Sequence, residues 1–317
     1  MEDRKPTPNG VDDAARRIEA AVTRTPLLSI DHRGRRIWVK AECLQQGGSF
    51  KLRGATNRLL LLDSAERERG VVAFSSGNHA QGVALAAQRL GMPATIVMPS
   101  DAPAVKSDAT RAAGARIVFY DRETESREEI GARLAEEQGA TLVPSFDDVD
   151  VIEGQGSVGV EIREQIGRAP PMLITPCGGG GLASGIALAL PGTKMVIAEP
   201  AGWDDMARSL QTGEILPVED PAPPTLCDAL QTKRVSPLTF EVLRAAGARG
   251  LAVSEQEVQA AMAAAFRRLR IVAEPGGAVA LAALLSDKID APDATVVVIS
   301  GGNVDPKLYA RILASDG

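Results

Sequence analysis

Met172-Leu173-Ile174-Thr175-Pro176-Cys177-Gly178-Gly179-Gly180-Gly181-Leu182 decides the class of fold. A short apolar run ends in four glycines, and an apolar helical pattern over Leu182–Leu190 follows at once. The next apolar run, Lys194–Glu199, reads as another strand. Working outward, the alternation continues in both directions. Upstream, strands are expected at Arg36–Glu42, Gly70–Phe74, Ala94–Met98, Arg116–Tyr120 and Thr141–Pro144. Helices are expected at Val11–Val22, Leu52–Leu62, Ala80–Leu90, Ala104–Ala113, Ser126–Gln138 and Gln155–Ile166. Downstream come Leu251–Val253, helices at Ser254–Leu269 and Ala278–Leu285, and the strand Thr295–Ser300. Strands alternating with helices of this length predict an α/β fold with mostly parallel sheets. Glycines gather just after strands, where open α/β sheets bind ligands.

The 317 residues suggest two domains. Lys and Arg total 35 against 41 Asp and Glu, a net charge of −6 with no basic block, which argues against nucleic-acid binding. No apolar run reaches the roughly 18 residues of a membrane span. The polar start Met1–Gly10 is no signal peptide. Three distant cysteines, Cys43, Cys177 and Cys227, fit neither a disulfide framework nor a CxxC zinc site, so a reducing cytoplasm is expected. Two histidines leave no room for a multi-histidine metal centre.

Four glycines, Gly178 to Gly181, between a strand and a helix expose N–H groups to an anion, with the helix dipole behind them. A tight turn would need fewer glycines, so a phosphate cradle is expected. Gly178, Gly180 and Ala183 also match a loose dinucleotide fingerprint with Glu199 one strand on, which keeps an NAD-dependent dehydrogenase open. Gly154-Gln155-Gly156-Ser157-Val158-Gly159 matches the strict fingerprint but follows an acidic stretch instead of a strand, and is rejected. In Gly47-Gly48-Ser49-Phe50-Lys51-Leu52-Arg53-Gly54-Ala55 a lysine stands where a glycine turn enters a helix. The helix N-terminus disfavours an ammonium there, and a neutral amine is what an imine needs. Lysine and cradle together suit a cofactor with an aldehyde and a phosphate, and pyridoxal phosphate has both. Ser75-Ser76-Gly77-Asn78-His79 opens another helix and offers donors to a substrate carboxylate, or a plain helix cap. Glu199, Asp204 and Asp205 around Trp203 read equally as oxygen ligands for Mg²⁺ or Ca²⁺ and as a helix cap.

Ser49–Ala55, Ser75–His79, Gly178–Gly181 and Ser300-Gly301-Gly302-Asn303, in that order, resemble the fold-type II pyridoxal-phosphate enzymes. The nearest likeness is to the serine/threonine dehydratase and serine racemase group, with a tryptophan synthase β-like architecture. The resemblance implies that Lys51 holds the cofactor as an imine, Phe50 packs on its ring and Asn78 meets its ring hydroxyl. Gly178, Gly179, Gly180, Gly181 and Leu182 hold the phosphate, and Ser300 meets the pyridine nitrogen. It implies Ser76 as a second acid/base opposite Lys51, and Ser75, Ser76, Asn78, His79, Arg127 and Thr232 as substrate contacts. Glu199, the Trp203 carbonyl and Asp205 match a divalent-cation site. The loop Cys227–Thr232 departs from the racemase pattern.

The implied function is β-elimination from a hydroxy-amino acid such as L-threonine or L-serine, giving a 2-oxo acid and ammonia. A racemase or a 3-hydroxyaspartate dehydratase on the same fold is the alternative, and a catalytically silent binding protein lies outside that class. The expected organisation is a large domain from 1–69 and 148–317, a small domain from 70–147, and a cytoplasmic homodimer without the regulatory domain of biosynthetic threonine deaminases. The expected partner is a small amino-acid substrate.

Overall fold

The structure is a computed structural model and describes residues 4–75, 77–102 and 104–315. The chain opens with α1 (Pro8–Ile18), β1 (Leu27–His32), β2 (Arg35–Ala41), α2 (Lys51–Leu60) and α3 (Ser64–Arg69). Then come β3 (Val71–Phe74), α4 (Asn78–Arg89), β4 (Ala94–Pro99), α5 (Ala104–Ala112), β5 (Arg116–Tyr120), α6 (Arg127–Gln138), β6 (Thr141–Leu142) and α7 (Val149–Ile166). β7 (Met172–Pro176), α8 (Gly181–Ala189), β8 (Lys194–Pro200), α9 (Asp205–Thr212) and α10 (Pro237–Ala245) follow. β9 (Arg249–Val253), α11 (Glu255–Ala264), α12 (Pro275–Leu285), β10 (Val296–Ile299) and α13 (Pro306–Ser315) complete the order.

Six strands form one sheet in the order β1-β2-β10-β7-β8-β9, and four form another in the order β5-β4-β3-β6. Among the described residues, β1 and β2 form the one antiparallel strand pair, and the other pairs are parallel. Helices cover both faces, so β4 and β10 are buried along their whole length, as their unbroken apolar runs require. No helix among the described residues is long and apolar enough to cross a membrane.

The expected alternation is present, with informative differences. Leu27–His32, which lies between the expected helix Val11–Val22 and the expected strand Arg36–Glu42, is itself a strand. It forms a hairpin with β2 through Arg33 and Gly34, at φ 55° and 73°. α3, α10 and α13 were not anticipated, although each carries a start signal. Asp63 and Glu66 form a capping box, Ser236 caps α10 ahead of Pro237, and Asp305 accepts from the Leu308 N–H ahead of its own helix. α7 begins at Val149, not Gln155. The acidic stretch is its N-terminus, with Asp148 accepting from the Val151 N–H. The glycines of the rejected fingerprint sit inside this helix and pack. A Cβ at Gly154 would lie 2.7 Å from the Gly54 Cα on α2, and one at Gly185 on α8 would lie 2.5 Å from the Gly156 nitrogen.

Candidate active site

Where β3, β7 and β10 end, the chain enters a cavity of about 670 Å³. Its walls include Phe50, Lys51, Ser75, Asn78, His79, Gly178 to Gly181, Leu182 and Ser300, with Arg127 and Thr232 from further elements. Every expected lysine-site, phosphate and substrate residue that the structure describes therefore meets in one place. Ser76 lies outside the described residues.

Lys51 is the first residue of α2. Its half-buried ammonium donates to the Ser145 carbonyl at 2.8 Å and lies 5.2 Å from the Phe50 ring. Burial brings its pKa from 10.5 down to about 8, the direction expected for an amine poised to form an imine. Two residues on, Arg53 is fully buried and holds α2 in place. It bonds both Glu42 oxygens at 2.8 and 2.9 Å and both Glu161 oxygens at 2.6 and 3.0 Å. Lys40 completes the cluster by donating to Glu161 at 2.5 Å. The Phe50 N–H donates to the Ser300 carbonyl at 3.1 Å, which joins the lysine turn to the end of β10.

The tetraglycine turn is crowded where a side chain would go. A Cβ at Gly179 would sit 2.3 Å from the Phe146 ring, and one at Gly180 would sit 2.8 Å from the Met206 methyl. Gly180 has φ 89° and caps α8. The Thr239 hydroxyl donates to the Gly179 carbonyl at 2.8 Å, so the carbonyl side is fixed from outside. The first N–H groups of α8 have no acceptor within their own helix. Gly181 and Leu182, which begin that helix, line the cavity, which is the fit a phosphate needs.

His79 is buried, and its Nε2 meets the Val143 carbonyl at 2.8 Å. A carbonyl only accepts, so the proton is assigned to Nε2, leaving Nδ1 buried and unpartnered. Burial, assisted by the Lys51 charge, lowers its pKa to about 3. A neutral His79 can meet a ligand only as an acceptor. Ser75 and the N-terminus of α4 line the same cavity and carry hydrogen-bond donors. Arg127 lies over the Phe74 ring and pairs with Glu128 at 2.8 Å.

Glu199 and Asp205 lie apart from this cavity's lining. Glu199 is fully buried, and its oxygens accept from the Met206 and Ala207 N–H groups at 3.3 and 2.8 Å. So Glu199 caps α9 from β8 and is not free for a ribose, which removes the support for the dinucleotide reading. The Asp205 carboxylate has both oxygens buried without a hydrogen-bond partner. Burial pushes Asp205 up to about 7, and burial with the Asp205 charge pushes Glu199 well up. The Trp203 indole donates to the Pro223 carbonyl at 2.8 Å. Among the described residues no group of three His, Cys, Asp or Glu side chains is placed to hold a metal.

Several wall residues were missed by sequence reasoning. Ser145 and Phe146 follow the strand expected at Thr141–Pro144, so the strand-exit rule applied elsewhere would have found them. Asp228, paired with Lys106, and the exposed Arg234 come from an irregular segment without such a signal.

Comparison with known proteins agrees with this geometry. L-threo-3-hydroxyaspartate ammonia-lyase of a Pseudomonas species is 46% identical over 309 residues, covering 95% of this chain and 96% of that protein. The Saccharomyces cerevisiae protein of the same name is 42% identical, covering 98% and 97%. The solved structure of maize serine racemase superposes with a TM-score of 0.92 at 36% identity and covers 98% of both chains. The family profile described as "Pyridoxal-phosphate dependent enzyme" matches residues 18–301, and the chain belongs to that family, with the fold-type II architecture and ammonia-lyase or racemase chemistry of its relatives.

Proposed function

We propose that the protein is an ammonia-lyase that removes the β-hydroxyl and the amine of an L-β-hydroxy amino acid, giving a 2-oxo acid and ammonia. The observation that carries this reading is a half-buried lysine with no acidic partner among the described residues, in the same cavity as a glycine cradle. Lys51, Phe50, Asn78, Ser300, Gly178 to Gly181 and Leu182 would hold the cofactor. Bound there, it supplies an aldehyde for the substrate amine and an electron sink for the pair left at Cα.

The protein's own part follows from its residues. Lys51, with a pKa near 8, is a neutral base for much of its population in mildly alkaline solution and takes the α-proton at Nζ. Ser75 and the first N–H groups of α4 hold the α-carboxylate. The Ser300 hydroxyl is a neutral partner for the ring nitrogen and leaves it largely unprotonated, which favours prompt loss of the β-substituent. Loss of water and hydrolysis of the released enamine balance to 2-oxo acid plus ammonia. Ser76 is proposed as a proton donor on the opposite face, needed only for inversion.

L-Threonine and L-serine fit this chemistry, but 3-hydroxyaspartate fits the cavity better. Arg127 and Arg234 both line it, and a second carboxylate adds a partner for those charges beside the Glu128 that Arg127 already holds. Two relatives carry that substrate in their names. Thr232 is proposed as a further contact to the substrate's side chain. A 2-oxo acid assay over L-threo-3-hydroxyaspartate, L-threonine and L-serine tests the choice. The highest kcat/KM is expected for the dicarboxylic substrate, and Arg127→Met should lower it by at least tenfold there and less for serine. A higher kcat/KM for serine or threonine would contradict the assignment.

Residues 70–147, which carry the four-stranded sheet, are proposed as the smaller domain, and 1–69 with 148–317 as the larger. α2 sits at the boundary, since Leu52, Ala55 and Leu59 share a core with Val71, Ala73 and Ile96. Glu199, the Trp203 carbonyl and Asp205 are proposed to hold a divalent cation, on the strength of the two unpartnered Asp205 oxygens. A homodimer is proposed on the family likeness, with light scattering as its check.

A further inference from the structure

Of Ser300-Gly301-Gly302-Asn303, only Ser300 lines the cavity. The Asn303 amide donates to the Gly47 carbonyl and to the Asn78 side-chain oxygen, each at 2.8 Å, with Gln81 Oε1 at 3.1 Å. A main-chain carbonyl accepts and never donates, so Gly47 fixes which way the Asn303 amide faces. Asn78 must then turn its oxygen toward Asn303. Its Nδ2 is left to face Glu274, and it donates to Oε1 at 2.5 Å.

Glu274 is unusual in its own right. It is 2% exposed and occupies the N-cap position of α12, yet its side chain makes no capping bond. Its main-chain N–H donates to the Gly301 carbonyl at 3.0 Å. A Cβ at Gly301 would lie 2.0 Å from Glu274 Oε1 and 3.2 Å from Asn78 Nδ2, so a glycine is required for the pair to form. Asn78 Nδ2 carries two hydrogens. Glu274 takes one, and the other has no acceptor among the described residues, while Asn78 lines the cavity with Lys51 and Ser300.

We propose that Glu274 and Asn303 are positioning residues that lock the Asn78 carboxamide so that it offers the bound cofactor a hydrogen-bond donor at its ring oxygen. The inference rests on the reading of the cavity as a pyridoxal-phosphate site. A reversed amide would place a carbonyl oxygen against the Glu274 carboxylate and turn an acceptor toward the ring oxygen. The Gly47 carbonyl, which cannot donate, sets the lock through Asn303, and the ionised Glu274 matches it at the other end. It also spans the two sheets, since Asn78 opens α4 while Glu274 and Asn303 lie beside α12 and β10. Burying the Glu274 carboxyl opposes its ionisation, so the carboxylate is held at a cost to the apo chain and not for its stability.

The test titrates apo protein with pyridoxal phosphate, reading the dissociation constant and visible absorbance band, alongside the melting temperature of the apo form. Glu274→Ala is expected to weaken cofactor binding roughly five- to tenfold, the worth of one neutral hydrogen bond, and to shift the band. Its apo melting temperature should equal or exceed the unmodified protein's. Glu274→Gln keeps an accepting oxygen, so it should bind within about twofold of the unmodified protein. Unchanged binding and band in Glu274→Ala, equal loss in Glu274→Gln, or a lower apo melting temperature overturns the proposal. If Glu274→Ala does not fold, Asn303→Asp replaces it. An acceptor-only group at 303 turns the Asn78 amide, so the same loss is expected, and normal binding overturns the lock. An unmodified protein that develops no band fails the cofactor reading itself, a result separate from any difference among variants.

Discussion

At the scale of the residue, the fold keeps an amine and two carboxylates, Lys51, Asp205 and Glu199, from their usual charge. Burial lowers Lys51 to about 8, and the neutral form grows as pH rises through that value. The rate at which apo protein takes up pyridoxal phosphate should therefore climb from pH 6 to pH 9 and level off. A stopped-flow series checks this, and a flat profile contradicts the burial argument. The same shift links to stability. The unfolded lysine keeps its proton up to about 10.5 while the folded one releases it near 8, so the apo chain gains stability as pH rises between them. Lys51→Met should lose that gain.

Asp205 runs the other way. Its folded pKa is raised to about 7, so it favours folding while protonated, below about 3.8, and that contribution is lost as pH rises through 7. A cation on Asp205 and Glu199 offsets the loss. Mg²⁺ or Ca²⁺ should raise the melting temperature at pH 8 more than at pH 6, and chelation should reverse it. No effect of either ion at pH 8 leaves Glu199 with its capping role alone.

At the scale of the element, two devices hold the site's shape. The Gly178–Gly181 turn works because no side chain fills it. Gly180→Ala must place a Cβ 2.8 Å from Met206 at a positive φ, so about 1–3 kcal/mol of stability and most cofactor binding should be lost. Arg53 holds α2 and with it Lys51. Arg53→Met leaves Glu42 buried without its partner and should cost about 3–5 kcal/mol in a urea titration. A cost below 1 kcal/mol would show that α2 is held by its apolar face alone.

The sequence was most readable where a local signal and the tertiary role coincide. Apolar runs ending in glycine marked β7 and α8 and placed the cradle, and the lysine turn could be read from Gly47 to Ala55. Long-range pairing was not readable. Leu27–His32 became a strand only because β2 accepts it as a hairpin partner. Glu274 and Asn78 are 196 residues apart, and nothing near either one announces the bond between them. The acidic stretch at 147–150 was read as the absence of a strand when it was the start of a helix.

At the scale of the whole molecule, two sheets aim the ends of their strands at one cavity. Asn78–Glu274 and Lys106–Asp228 tie segments of one sheet's unit to the other across it. Elimination needs one face of that cavity, since a single base removes the α-proton and the β-hydroxyl departs. Racemisation needs a second proton donor on the far face. The most direct test is a parallel assay of 2-oxo acid and D-amino acid formed from L-threo-3-hydroxyaspartate and L-serine by the holoenzyme, with Lys51→Ala beside it. The account predicts 2-oxo acid formed faster than the D-isomer, and neither product from Lys51→Ala. D-amino acid accumulating faster than 2-oxo acid, or turnover surviving in Lys51→Ala, would contradict it.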